Sequence, residues 1–219
     1  MDSVKHEKVD ILLPPDFKKS GVIKTRAEAL RDHEWVGVGN LWILQDLPNP
    51  AILYHQKSAR KSWEPGKVGV VAGGHYQAGE GVDGLLREVK EEIGREYSQD
   101  NLTYIGKRLY VGLENNGVHI RQNVVDIFIV KDNTPLKNFV LEPVEVAAIC
   151  AIPLSELIKM YNNHVNYKFN VVGISHSGNK FTIEISKESF PLNWDNYHRR
   201  MVYIAKRFLE GEKNINYQE

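Results

Sequence analysis

Gly73-Gly74-His75-Tyr76-Gln77-Ala78-Gly79-Glu80-Gly81-Val82-Asp83-Gly84-Leu85-Leu86-Arg87-Glu88-Val89-Lys90-Glu91-Glu92-Ile93-Gly94 is a glycine-rich loop that runs into an acidic helix. Leu85, Leu86, Val89 and Ile93 fall on one side at helical spacing, with Asp83 the expected N-cap and Gly94 the expected stop. Glu88, Glu91 and Glu92 stand at i, i+3 and i+4, so three carboxylates share a face beside that apolar stripe. Like charges so placed cost roughly a few tenths of a kcal/mol per pair. The bland account is a solvated face with Arg95 neutralising Glu91 or Glu92. The chemical account is a set of hard oxygen donors for Mg²⁺ or Mn²⁺, which cancels the repulsion. Five glycines between Gly73 and Gly84 favour the second account, because they suit a backbone that turns sharply and approaches a ligand closely.

Outward from this segment, strands are expected on both sides. Val36 to Gln45 and Ala51 to Gln56, linked by Asp46-Leu47-Pro48-Asn49-Pro50, read as a strand pair. Val68 to Ala72 is a β-branched run entering the glycine loop. Leu102 to Val111, Asn123 to Val130 and Val144 to Ile152 read as further strands, and Pro153 opens a second helix. An added hairpin is expected over about 162–190 around Ser177-Gly178-Asn179, and a packing helix over about 195–210. Residues 1–25 are expected as an extended arm and 26–219 as one domain. The mixed order predicts an α/β (α+β) fold, a sheet covered by helices on both sides.

Composition narrows the function classes. The chain has 219 residues, 42% of them hydrophobic, enough for one sizeable core. Lysine plus arginine and aspartate plus glutamate number 28 each, so no net field draws nucleic acid or an anionic membrane. The expected partner is a small molecule, with neither nucleic acid nor membrane; oligomeric state stays open, a homodimer included. A single cysteine, Cys150, fits a reducing interior and is expected as a small buried hydrophobe. With no apolar run of spanning length, a cytoplasmic protein is expected.

Gly74, Glu80, Arg87, Glu88, Val89, Glu91, Glu92 and Gly94 resemble, in order, the signature box of the Nudix hydrolases, over residues 74–95. Two positions depart from it. Six residues rather than seven separate Glu80 from Arg87, and Arg95 replaces an aliphatic residue. The resemblance implies an α/β/α sandwich with a central mixed sheet and a Mg²⁺- or Mn²⁺-dependent hydrolase of a diphosphate linkage in a nucleoside diphosphate derivative or related metabolite. It assigns Glu88, Glu91, Glu92 and the Gly74 carbonyl to metal, and Arg87, Glu91 and Glu92 to catalysis, with Arg87 orienting the glutamates. Glu114, Glu142 and Glu145 are candidates for the general base by position only.

A second resemblance, over about residues 26–95, is to the isopentenyl-diphosphate-isomerase-like branch of this fold. Arg26-Ala27-Glu28, Arg31-Asp32, Trp42-Ile43-Leu44, Gln56-Lys57-Ser58-Ala59-Arg60-Lys61 and Pro65-Gly66-Lys67 carry it. It implies that Lys57 and Lys61, with Arg60 and Glu80, hold the diphosphate. His75 is then either a metal ligand or a loop residue, and Trp35, Trp42 and Trp63 either stack on the substrate or belong to the core. The strand before the box has no cysteine, which disfavours alkene isomerisation and leaves hydrolysis. The alternatives are an isopentenyl-diphosphate-type isomerase and a non-catalytic ligand-binding module.

Overall fold

A computed structural model describes residues 6–46, 48–60, 64–114, 119–163, 166–191 and 195–218, the side chains of 114 and 119 excepted. The strands are β1 (Lys8–Leu13), β2 (Lys18–Thr25), β3 (Trp35–Gln45), β4 (Ala51–Lys57), β5 (Val68–Val70), β6 (Ala72–His75), β7 (Thr103–Glu114), β8 (His119–Lys131), β9 (Val146–Pro153), β10 (Phe169–Ser175) and β11 (Lys180–Ile185). The helices are α1 (Arg26–Arg31), α2 (Val82–Ile93), α3 (Leu154–Asn162) and α4 (Tyr197–Leu209).

β3 is the hub of a single mixed sheet. Along one edge it pairs in parallel with β8 from Trp35↔Gln122 to Leu44↔Lys131. Along the other it pairs in succession with β1 at its start, β6 in its middle and β4 at its end. β7 extends β8, and β9, β10 and β11 continue outward from β4, all antiparallel. The Val68–Ala72 run is two strands rather than one. Val68–Val70 pairs with β4, whereas Ala72–His75 crosses to β3, because β3 and β4 pair only at Gln45 and Leu44 and diverge beyond them. The N-terminal segment forms the β1–β2 pair, and β1 joins the sheet through Ile11↔Val36 and Leu12↔Trp35.

Period-two alternation assigns the layers. Leu41 and Ile43 of β3 face α2, where Leu85, Val89 and Ile93 are fully buried against them and against Leu53, Val71 and Ala72. Trp42 and Leu44 face the other way, into a cluster with Tyr54, Cys150, Leu157 and Met160 and with Met201, Val202 and Ala205 of α4. Burying each of the three large α2 side chains contributes roughly 1.5–3 kcal/mol, which fixes the orientation of the acidic face. This is an α/β/α arrangement, with helices packed on both faces of the sheet. The 162–190 hairpin is present as β10–β11, and Pro153 caps α3. Among the described residues no helix is long and apolar enough to cross a membrane.

Candidate active site on the acidic helix

α2 starts two residues earlier than the sequence suggests. Its N-cap is Gly81, which makes no side-chain capping bond, and the expected cap, Asp83, lies inside the first turn. The tight turn at Gly79, with φ +92°, delivers the chain to the helix before Asp83 is reached. The Asp83 carboxylate instead accepts from Gln99 Nε2 at 2.8 Å. The C-terminus is as expected: Gly94 adopts φ 64° and its N–H bonds the Lys90 carbonyl. That turn carries Arg95 away from the helix face, so Arg95 does not neutralise Glu91 or Glu92. It donates to Asp132 at 2.9 Å and Thr134 at 3.0 Å.

Arg87 gathers the carboxylates. It donates to both Glu80 oxygens at 3.1 and 3.2 Å, to Glu88 at 2.8 Å and to Glu91 at 3.1 Å. Glu80 also accepts the Gln77 N–H at 2.8 Å, so the shortened link still places it on Arg87. Burial opposes ionisation of Glu80, but the bonds from Arg87 and Gln77 prevail and its pKa is lowered. Glu88 goes the other way: loss of water around it raises its pKa, despite Arg87. Glu92 is buried and accepts the Gly73 N–H at 3.1 Å. Glu91 is the outermost of the three, its side chain 59% exposed.

The glycine pair has a specific steric role. A Cβ on Gly74 would run into the Glu88 carboxylate, and one on Gly73 into the Gly39 carbonyl and Asn40. Two strand residues without side chains therefore let the loop backbone lie against the acidic face. Among the described residues no three acidic or imidazole side chains yet converge on one point, since Arg87 holds Glu88 and Glu91.

The remaining expected residues fall in several places. His75 is buried on β6, opposite Val38 of β3. Lys57 ends β4, and Arg60 lies in the exposed turn beyond it. Lys61 and Trp63 lie outside the described residues, as does the side chain of Glu114. Glu142 turns one carboxylate oxygen to the Val144 N–H at 3.1 Å, while its own N–H bonds the Glu92 carbonyl at 2.9 Å. Glu145 lies near Arg26, and its carbonyl accepts from Ser58 at 3.0 Å. Trp42 belongs to the core, its Nε1–H donated to the Tyr197 hydroxyl at 2.9 Å, and Trp35 packs edge-on to Phe17. Cys150 is buried, and its thiol is pushed up to about 12 by loss of water.

Two arginines outside the expected set also face this region. Arg26, the first residue of α1, has Nη1 3.6 Å from Glu7 and feels Glu88 and Glu145. Arg121 of β8 is close enough to Arg26 for their charges to repel; burial first, and that repulsion next, push its guanidinium down to about 10. Nothing in the local sequence marks Arg121, because it is brought here by the β3–β8 pairing across 86 positions of chain from Trp35.

Residues 33–171 match the model of the NUDIX domain family, spanning the acidic helix, its glycine loop and the strands that hold them. The chain belongs to the Nudix family. It is 29% identical over 148 residues to Nudix hydrolase 3 of Arabidopsis thaliana, covering 66% of this chain and 19% of that protein. It is 24% identical over 151 residues to an uncharacterized Nudix hydrolase of Clostridium acetobutylicum, covering 67% of this chain and 70% of that one. This Nudix chain thus spans about a fifth of the plant protein's length. Among solved structures, the MutT protein of Methanosarcina mazei Go1 shares the fold at a TM-score of 0.52 and 16% identity, over 82% of this chain and 96% of that one. DR0079 of Deinococcus radiodurans does so at a TM-score of 0.50 and 19% identity, over 71% and 89%. The Nudix fold expected from the box is the fold observed.

Proposed function

We propose that this chain is a divalent-metal-dependent hydrolase that cleaves a diphosphate linkage in a nucleoside diphosphate derivative or a related small metabolite. The observation that carries the reading is the close packing of the Gly73–Gly74 backbone against Glu88 and Glu92, a cradle that any Cβ would fill. Its carboxylates supply hard oxygen donors, the donor chemistry that Mg²⁺ and Mn²⁺ take.

Glu88, Glu91 and Glu92, with a carbonyl of the Gly73–Gly74 segment, would hold the ion. Loading requires Glu88 and Glu91 to exchange an Arg87 contact for it. When bound, the metal supplies Lewis-acid polarisation of the phosphoryl oxygens and a more acidic water. The chain's own residues do the rest. Arg87 keeps Glu80 and the helix carboxylates in one arrangement. Arg26 and Arg121 supply positive charge beside Glu88, where the anionic diphosphate lies, and Lys57 and Arg60 extend it along the β4 end. Attack of water on phosphorus then breaks the phosphoanhydride P–O bond, with a proton leaving to a nearby carboxylate. Glu142, whose N–H bonds the Glu92 carbonyl, and Glu145, near Arg26, are the described candidates for that proton.

The motifs at Arg26, Trp42 and Lys57 support the isomerase-like branch in this reading, and the lack of a cysteine in the strand before the box favours its hydrolases. Alkene protonation by a cysteine has no support, because Cys150 is sealed in the core on the face away from α2. The test is a Mg²⁺- and Mn²⁺-dependent screen of diphosphate compounds with products identified by mass spectrometry. Metal-dependent cleavage lost in Glu92→Gln supports the reading. Tight substrate binding without turnover under any metal turns it into a binding module.

A further inference from the structure

On the opposite face of the sheet from α2, a cavity of about 500 Å³ opens between the start of α4 and the β4–β5 end, within the volume range of small-molecule sites. Its inner wall is aromatic: Tyr161, Phe190, Tyr197 and the imidazole of His198. The Phe190 and His198 rings are 5.2 Å apart, and Tyr54, behind them, is 5.3 Å from Phe190 and 6.1 Å from His198. Tyr197 accepts from Asn40 and Trp42 at 3.0 and 2.9 Å and carries the Arg108 guanidinium 4.1 Å over its ring, so it backs the wall and leaves Tyr161 and Phe190 as its ring surfaces.

Among the described residues, His198 Nδ1 in this wall, on a residue 6% exposed, and the Tyr54 hydroxyl behind it, on a residue 0% exposed, have no hydrogen-bond partner. Buried polar atoms left so are costly and uncommon. Burial pushes the His198 imidazole down to about 3, so at neutral pH it offers a donor or an acceptor without charge. The mouth carries both signs, Lys67, Lys187 and Arg199 against Glu64 and Glu188, whereas the inner wall carries no charged side chain.

We infer that this cavity is a ring-binding subsite, taking a neutral planar heterocycle such as a nucleobase, stacked on Tyr161 and Phe190 and hydrogen-bonded by His198. The inference rests on the diphosphate-hydrolase reading for what the ring is attached to. The two regions are one strand end apart: Lys67 at the mouth accepts the Lys57 N–H at 2.9 Å, and the next residue, Ser58, donates to the Glu145 carbonyl at 3.0 Å, beside Arg26. A nucleoside diphosphate derivative would set its base in the cavity and its phosphates toward Glu88.

The test uses the metal-free full chain and uncharged probes. Adenosine, guanosine, uridine and cytidine are titrated while the His198 side-chain resonances are followed by NMR, with dimethylallyl alcohol as an aliphatic control. At least one nucleoside is expected to shift His198 saturably, and His198→Phe to weaken it at least tenfold with an unchanged or higher melting temperature, since Phe keeps the packing and deletes the unpaired nitrogen. Should His198→Phe fail to fold, Tyr161→Leu is expected to produce the same loss. No shift by any nucleoside, tighter binding of the alcohol, or unchanged affinity in the folded variant overturns the inference. Because neither metal nor turnover enters the measurement, hydrolysis without nucleoside binding refutes only this subsite, and nucleoside binding without hydrolysis refutes only the enzymatic reading.

Discussion

Arg87 grips Glu80 with a two-pronged pair of hydrogen bonds, 3.1 and 3.2 Å, although only six residues lie between them. The same guanidinium reaches Glu88 and Glu91, so one planar group ties the loop to the acidic face. A lysine has no such fork. Arg87→Lys is expected to lower Mn²⁺ affinity and turnover by about 10–100-fold, the usual effect of losing a group that orients metal ligands. Stability should change by less than about 1 kcal/mol, because these pairs are partly exposed. A metal titration run beside a thermal melt checks both.

Gly74→Ala puts a methyl group into the Glu88 carboxylate. The far end of a glutamate yields more readily than a strand, so the expected result is displacement of Glu88 with a stability loss of about 1–3 kcal/mol. Metal affinity should fall with it. Gly81→Ala is the control, since a Cβ there meets nothing within 4 Å. Calorimetric Mn²⁺ titration of the two variants separates a site effect from a loop effect.

Arg26→Gln removes the arginine whose charge is felt at Glu88. A hydrogen bond to a charged group is worth roughly 1.5–3 kcal/mol, so KM for a diphosphate substrate should rise about 10–100-fold. The effect on kcat should be smaller if Arg26 holds phosphate in ground and transition states alike. Equal losses in kcat and kcat/KM would place Arg26 in the reacting arrangement instead.

His198 supplies a pH prediction. Its folded pKa is pushed down to about 3 from 6.5, so between those values the unfolded chain binds a proton that the folded chain does not. Stability is therefore full above about pH 6.5 and declines as pH falls toward 3, by on the order of a few kcal/mol from this group. His198→Phe should flatten that part of the curve, read from urea midpoints at pH 7, 5 and 4.

The acidic helix was legible because its stripe and its carboxylates are local, repeating within three turns. Strand positions were legible for the same reason, and the run before the glycine pair shows the limit. Val68 to Ala72 looks continuous, and only the divergence of β3 from β4 divides it. Asp83 and Arg95 depart from the expected roles because each follows a glycine whose backbone angle redirects the chain, Gly79 four residues before the one and Gly94 just before the other, and a residue's type does not fix that angle. Arg121 and His198 were invisible for another reason. Their significance comes from neighbours distant in sequence, Arg26 for one and Tyr54 and Phe190 for the other.

Mn²⁺ binding followed by electron paramagnetic resonance, on the full chain and on Glu88→Gln and Glu92→Gln, addresses the acidic face itself. Saturable binding in the parent chain, weakened at least tenfold in each variant with folding retained, is the expected result. Binding that is absent from the parent, or equally strong after both substitutions, would contradict a metal site on α2.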